Sequence, residues 1–290
     1  MLKYGILVDY FCKPKGFTMK LSYFLSHVHS DHVQGLRANW KHGTLYCSQD
    51  TSKLLEIMYG RELIQHVNVL ELFVWHQVAL FNVAPSFKVA LLPANHCFGS
   101  TMFVFDLKGK FVVYTGDYRL SDNIIEWTGF PIRVDWLMFD STFHNETLNL
   151  PTIDESINAL ENVVKHIEGE PKIYIHLHGL GVETFVIGWV KKFQRNVLID
   201  VESPIINMSI GSNIHSKPSN IIITDKRYDG MIIRPCCKWF VMHNCKDPWT
   251  FDTTHSIYRV WYSQHASYAE NMKLIHRLQP KYTTECVEQI

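Results

Sequence analysis

The segment Ser26-His27-Val28-His29-Ser30-Asp31-His32 constrains this chain more than any other, because it sets three imidazoles and a carboxylate directly behind the apolar run Tyr23-Phe24-Leu25. Two histidines one residue apart at a strand end can point toward the same ion. The aspartate and the last histidine lie a step further round the turn and can reach a second ion. Imidazole and carboxylate are ligands that suit zinc and similar divalent metals. A fold that uses this segment must end a buried strand in a loop and bring other ligands to the same place. A polar loop with no metal role is the competing explanation, so the rest of the chain has to decide.

Three further positions have the right character. His96 follows Leu91-Leu92-Pro93 and precedes Gly99-Ser100, Asp117 closes the run Val113-Tyr114-Thr115-Gly116, and His265 follows the apolar stretch 257–262. Gly116 would let the backbone approach the metals. Any one of these alone is ordinarily a satisfied structural group. Together, at strand ends in this order, they describe a binuclear site. Histidine, with 16 copies, is also the compositional outlier. Lys+Arg and Asp+Glu are equal at 28 each. A nucleic-acid binder usually carries excess positive charge, so a phosphate-binding surface here must come from local clustering or from bound metal.

The chain has 290 residues, 47% of them hydrophobic and 19% charged, enough for a core that needs no disulfides. Seven cysteines without regular spacing fit reduced thiols in an intracellular compartment better than a secreted scaffold. Cys236, Cys237 and Cys245 with His243 lack the paired spacing of a structural zinc site and read as buried thiols. The first apolar run is too short for a signal peptide and contains Asp9. No stretch approaches a membrane span, so no membrane partner is expected.

Strands are expected at 6–8, 23–25, 89–92, 101–105, 111–114 and 136–139, with a hairpin turning at Lys108-Gly109-Lys110. Ser48 caps an expected helix over 48–59. After Asp140 the pattern changes to strand–turn–helix alternation. Thr152 and Glu155 form a capping-box signature, 172–177 reads as a strand, Gly179 and Gly181 as a turn, and 182–193 as a helix. A strand at 257–262 and a helix at 267–278 close the reading.

The stretches 24–36 (FLSHVHSDHVQGL), 91–100 (LLPANHCFGS), 114–119 (YTGDYR), 137–143 (LMFDSTF) and 262–270 (YSQHASYAE) resemble, in this order, the metallo-β-lactamase superfamily and, within it, the β-CASP DNA-repair nucleases. The resemblance runs from Val8 to about Pro280. It implies an α/β fold: a metallo-β-lactamase αββα sandwich built from 1–142 and 250–290, with an inserted α/β β-CASP domain over 143–249. It implies two divalent ions, zinc first, with magnesium or manganese an option at one site. His27, His29 and His96 would hold one ion, Asp31, His32 and His265 the other, and Asp117 would bridge them. Asp9 and Asp140 would orient ligand histidines, and Asp31, Asp117 and Asp140 would serve the chemistry. The implied partner is DNA, single-stranded or at strand ends, with telomere or repair proteins beside it, and the implied compartment is the nucleus.

Two metals ~4 Å apart can acidify a bridging water near neutral pH and stabilise charge on the reacting phosphate, so the implied reaction is hydrolysis. Sites of this class also cleave lactams, thioesters and lactones, so the substrate does not follow from the ligands. DNA is implied through the inserted domain, which the family uses to cover the metals and form a nucleic-acid groove. A non-catalytic metal-containing DNA-end binder and an RNA-processing β-CASP nuclease are the alternatives.

Three positions depart from the family's exonucleases. Gly179 and Val182 stand where a serine and a lysine would line a pocket for a 5′-phosphate, Ile233 or Arg234 replaces a later histidine, and Gln264 stands where an acidic residue is common. Losing the lysine and histidine weakens the strong, charge-assisted bonds. Backbone N–H groups at Gly179 and Gly181, with His178, remain as phosphate contacts. The expectation is a relaxed need for a 5′-phosphate or a preference for internal sites.

Overall fold

Alternation along buried strands decides the layering of the first unit. The computed structural model describes residues 4–16, 21–78, 86–145, 147–169 and 171–286. The chain folds as two units, Met1–Glu146 with His265–Ile290, and Thr147–Gln264.

In the first unit, β1 (Ile6–Val8), β2 (Leu21–Phe24), β3 (Gly43–Cys47) and β4 (Val67–Val69) form a parallel sheet in that order. Helices α1 (Gln49–Tyr59) and α2 (Arg61–Ile64) link β3 to β4. Ser48 caps α1 by accepting from Thr51 N. A second sheet holds β5 (Trp75–Val78), β6 (Phe87–Pro93), β7 (Thr101–Asp106), β8 (Phe111–Tyr114) and β9 (Trp136–Phe139), antiparallel up to β8 and parallel from β8 to β9. The β7–β8 hairpin turns at Lys108 and Gly109, both at positive φ, as its sequence predicts.

Side chains two apart share a face of a strand. Val89, Leu91, Phe103, Phe105 and Tyr114 therefore join Ile6, Phe24 and Tyr46 in one core between the sheets. Their neighbours Ala90, Leu92, Met102, Val104 and Val113 face the other way and pack with Ile124, Leu274 and Leu278 from the helices outside. Those helices are α3 (Asp122–Ile125) and α8 (Tyr268–Leu278), the last helix among the described residues. After α8 the chain adds β16 (Tyr282–Glu285) beside β9. This is the αββα layering expected from the sequence.

The second unit begins with α4 (Ile153–His166), whose capping box forms between Thr152 and Glu155. It continues through β10 (Ile173–His176), α5 (Val182–Phe193), β11 (Leu198–Asp200), α6 (Pro204–Ile210), β12 (Ile221–Thr224), β13 (Met231–Cys236), α7 (Lys238–Met242), β14 (Trp249–Asp252) and β15 (Ile257–Trp261). The sheet runs β11-β12-β10-β13-β15-β14, parallel except for β14. Leu160, Val164, Phe185, Trp189, Ile223, Ile233 and Val260 form its core. The sequence reading ended this unit at 249. The chain stays in it through Gln264, because β14 pairs with β15 and β15 extends the sheet through β13.

Candidate metal centre

Every predicted ligand lies in the first unit, on loops that follow strands or, for His265, at the point where the chain returns to that unit. His27, His29, Asp31 and His32 follow β2, His96 follows β6, Asp117 follows β8, and Asp140 follows β9. His27 and Asp140 are fully buried, and His96 and Asp117 nearly so.

These groups converge on Asp117. Its Oδ2 lies 3.7 Å from His27 Nε2, 3.5 Å from His96 Nε2 and 3.7 Å from His265 Nδ1, while its Oδ1 lies 3.5 Å from His32 Nε2. His96 Nε2 faces His29 Nδ1 at 2.9 Å, and Asp31 Oδ2 is 3.6 Å from His32 Nε2. Among the described residues, three groups have ligand atoms within 4.8 Å of one another: His27, His29, His96 and Asp117; Asp31, His32 and Asp117; and Asp117, Asp140 and His265. Asp117 is in all three, the position a bridging carboxylate needs. His265 falls with Asp117 and Asp140 rather than with Asp31 and His32.

Hydrogen bonds behind the ligands decide which nitrogen each imidazole offers. Asp9 Oδ2 accepts from His32 Nδ1 at 2.7 Å and from Ser26 Oγ at 2.6 Å, and Oδ1 accepts from Ser26 N at 2.7 Å. The Ser26 hydroxyl has spent its proton on Asp9, so its oxygen accepts from His27 Nδ1 at 2.9 Å. Both histidines therefore carry Nδ1–H and turn Nε2 toward Asp117. Likewise Asp140 Oδ2 accepts from His265 Nδ1 at 3.0 Å and from Tyr118 N at 3.3 Å, and Oδ1 accepts from Thr142 N at 3.0 Å. A carboxylate so engaged is held in place and orients His265.

The residues fit a divalent metal. His27 Nε2 and Asp117 Oδ1 are buried polar atoms that make no hydrogen bond, which is costly unless something else satisfies them. Burial, then the neighbouring His96, His32, His29 and His265, hold His27 well below the usual histidine range. At His32 burial opposes the charge, but the nearby carboxylates of Asp117 and Asp9 outweigh it and push the group up to about 11. One corner thus refuses a proton while the next demands positive charge. A cation between neutral imidazoles and carboxylates meets both conditions. Burial likewise opposes ionisation of Asp140, yet its bond to His265 lowers the carboxyl and raises the imidazole.

Gly116 has a different reason from the one its sequence suggests. At φ 54°, a Cβ there would stand 2.9 Å from Ser26 Oγ and 3.0 Å from Ser26 Cβ. The glycine lets Asp117 approach the Ser26 loop. The sequence reading also assigned no role to Ser26, Tyr114, Tyr118, Arg119, Glu270 or Asn271. Tyr114 OH donates to Asp9 Oδ2 at 3.0 Å, and the others return below. The one local signal was Ser267 three residues before Glu270, a capping-box spacing.

In the second unit, His176 ends β10 and His178 follows it, beside Arg234 on β13, where the chain's crossovers part to either side of β10. Burial first, then Arg234 and His176, pushes His178 down to about 4, although its ring reaches the surface. Ile233 is buried in the core, which leaves Arg234 as the residue facing the histidines. Gly181, at φ 103°, is the N-cap of α5, but its N–H donates to Glu183 Oε2 at 2.6 Å. Ser209 holds the other oxygen of that buried carboxylate at 2.6 Å. The expected Gly181 phosphate contact is therefore already taken by an internal anion. Gly179 has open space about it. Gln264 donates to Leu180 O at 3.0 Å within the same unit. No grouping of Cys236, Cys237, Cys245 and His243 is close enough for a metal among the described residues.

A family model described as "Beta-lactamase superfamily domain" matches residues 23–177. The chain is 27% identical over 283 residues to the 5' exonuclease Apollo of Danio rerio, covering 89% of this chain and 47% of that protein. It is 29% identical over 188 residues to the DNA cross-link repair protein pso2/snm1 of Schizosaccharomyces pombe, covering 61% of this chain and 32% of that one. The chain thus spans less than half the length of either of these two relatives. A solved structure of a protein of unknown function from Enterococcus faecalis V583 is similar in fold, with a TM-score of 0.63 at 14% identity, covering 94% of this chain and 76% of that one.

Proposed function

The chain belongs to the β-lactamase superfamily, and from that premise we propose that it is a metal-dependent nuclease that hydrolyses phosphodiester bonds in DNA. The observation that carries this reading is the meeting of His27, His29, His32, His96 and His265 around Asp117, with two buried atoms left for a cation. The relatives' names, an exonuclease and a cross-link repair protein, support DNA as the substrate and repair or end processing as the setting. A DNA substrate makes the nucleus the expected compartment.

His27, His29 and His96 would hold one ion, Asp31 and His32 a second, Asp117 would bridge, and His265 would complete the bridged side. Zinc suits this donor set, and the oxygen-richer side also suits magnesium or manganese. Bound ions would supply Lewis-acid charge for the phosphate and a nucleophile at neutral pH. Asp9 orients His32 directly and His27 through Ser26, and Asp140 orients His265. Asp31 is 69% exposed at its side chain, so its carboxylate reaches solvent and can take the proton released by the attacking water.

The resemblance puts the candidate contacts for a terminal phosphate in the second unit. Glu183 occupies the Gly181 N–H, Val182 brings no charge, and His178 is neutral near pH 7. Arg234 and Arg227 remain as cations near the histidines. This supports cutting that depends little on a 5′-phosphate.

The test is cleavage of end-labelled DNA, with RNA of the same sequence in parallel, by wild type and Asp31→Ala. Wild-type cutting of DNA that the substitution abolishes is expected. Metal-loaded wild type that binds DNA and leaves every form uncut would mean an end-binding protein instead, and preference for the RNA would move the substrate.

A further inference from the structure

Helix α8 has more polar contacts than its own folding requires. Leu274 and Leu278 already pack it on the second sheet, and its N-terminus is closed by a capping box in which Ser267 N donates to Glu270 Oε2 at 2.7 Å and Glu270 N donates to Ser267 Oγ at 3.2 Å. The box uses one carboxylate oxygen. The other, Oε1, accepts from Arg119 Nε at 3.0 Å and from Leu120 N at 3.2 Å, in the segment just after Asp117. Arg119 is 3% exposed, and a guanidinium is seldom buried unless a partner compensates it.

The next residue repeats the pattern. Asn271 Nδ2 donates to the backbone oxygen of Asp140 at 2.9 Å, and its Oδ1 accepts from Tyr118 OH at 2.7 Å. Tyr118 N in turn donates to Asp140, and Arg119 N donates to Ala94 O at 2.8 Å, two residues before His96. Tyr118 and Arg119 thus link the loops of His96, Asp117 and Asp140 to the helix whose cap lies two residues after His265.

We infer that the first turn of α8, through Glu270 and Asn271 acting on Tyr118 and Arg119, is a positioning element that sets Asp117 and His265 at metal-binding separation. The inference rests on the reading of this centre as a metal site. None of the four side chains is a ligand. Each fixes backbone beside a ligand. Loops brought together from sequence positions about 150 apart have no local reason to hold a ligand distance, and imprecision in the supporting residues loosens metal sites.

The experiment titrates purified full chain with Zn²⁺ against a chelator and records visible spectra of the Co²⁺-loaded protein, for wild type, Asn271→Ala and Tyr118→Phe. Asn271→Ala is expected to weaken the loosest-bound ion by about tenfold or more, to alter the Co²⁺ spectrum, and to shrink the rise in melting temperature that metal produces. Tyr118→Phe removes one hydroxyl and is expected to weaken the same ion by about threefold. If Asn271→Ala does not fold, Tyr118→Phe decides. Wild-type affinity and spectrum in the variants, with melting lowered equally with and without metal, overturns the inference and leaves the metal centre standing. A wild type that binds no divalent ion overturns both.

Discussion

Asp9 Oδ2 accepts the Nδ1 proton of His32 at 2.7 Å, and through the Ser26 hydroxyl the same oxygen also dictates the tautomer of His27. One carboxylate, at positive φ (52°) just after β1, thus aims two imidazoles. The backbone accepts that unusual conformation because Asp9 N donates to Phe24 O, fixing it beside the end of β2.

Asp9→Ala is expected to lower metal affinity by about 10- to 100-fold while the protein remains folded. Chelator competition on purified protein measures this. An unchanged affinity would show that the Ser26 and Asp117 contacts suffice to aim the histidines.

Gly116→Ala is expected to destabilise the protein by about 1–3 kcal/mol, because the added methyl meets Ser26 at a backbone angle L-residues rarely adopt. Chemical denaturation reports the loss. A variant as stable as wild type would mean that Ser26 can retreat, and its metal affinity would then be the quantity to examine.

In the second unit Asp252 pairs with Arg259 at 2.6 Å, both side chains being less than a tenth exposed. Burial raises the Asp252 carboxyl, but bonds from Arg259 and His255 outweigh it and bring the group from 3.8 to about 2. Because the folded value is depressed, this stabilisation is present above 3.8 and is lost as pH falls through about 2. Asp252→Ala is expected to cost about 3 kcal/mol at neutral pH, since it leaves Arg259 buried and unpaired, and to flatten the stability profile across that acid window. Equilibrium unfolding at stepped pH checks both.

Oligonucleotides ending in a 5′-phosphate and in a 5′-hydroxyl are expected to be cut at similar rates. A pocket with charge-assisted bonds would favour the phosphate by roughly tenfold or more. Such a preference here would restore a terminal-phosphate pocket built from Arg234 and the histidines, despite Glu183.

Local signals were strong where one stretch of chain carries its own pattern. The apolar strand at Val89 to Leu92, the Lys108-Gly109 turn, and the Ser48 and Thr152 caps are short-range, and each formed as read. Strands such as β4 (VNV) and β14 (WTFD) are short and partly exposed, and only their partners make them strands. The end of the second unit was misjudged for the same reason: nothing within β14 and β15 says which sheet they join.

The sequence by itself determined the ligand types, their order along the chain and their places at strand ends, because those depend on residue identity and short-range periodicity. Only the tertiary structure decided which nitrogen His27 and His32 turn to the centre, that the histidine Asp140 bonds is His265, and that Glu183 fills the N-cap of α5. It also brought Tyr118 and Arg119 to Glu270 and Asn271. Each of these depends on hydrogen bonds made in three dimensions. A bond between residues 118 and 271 leaves no periodicity for a one-dimensional reading to detect.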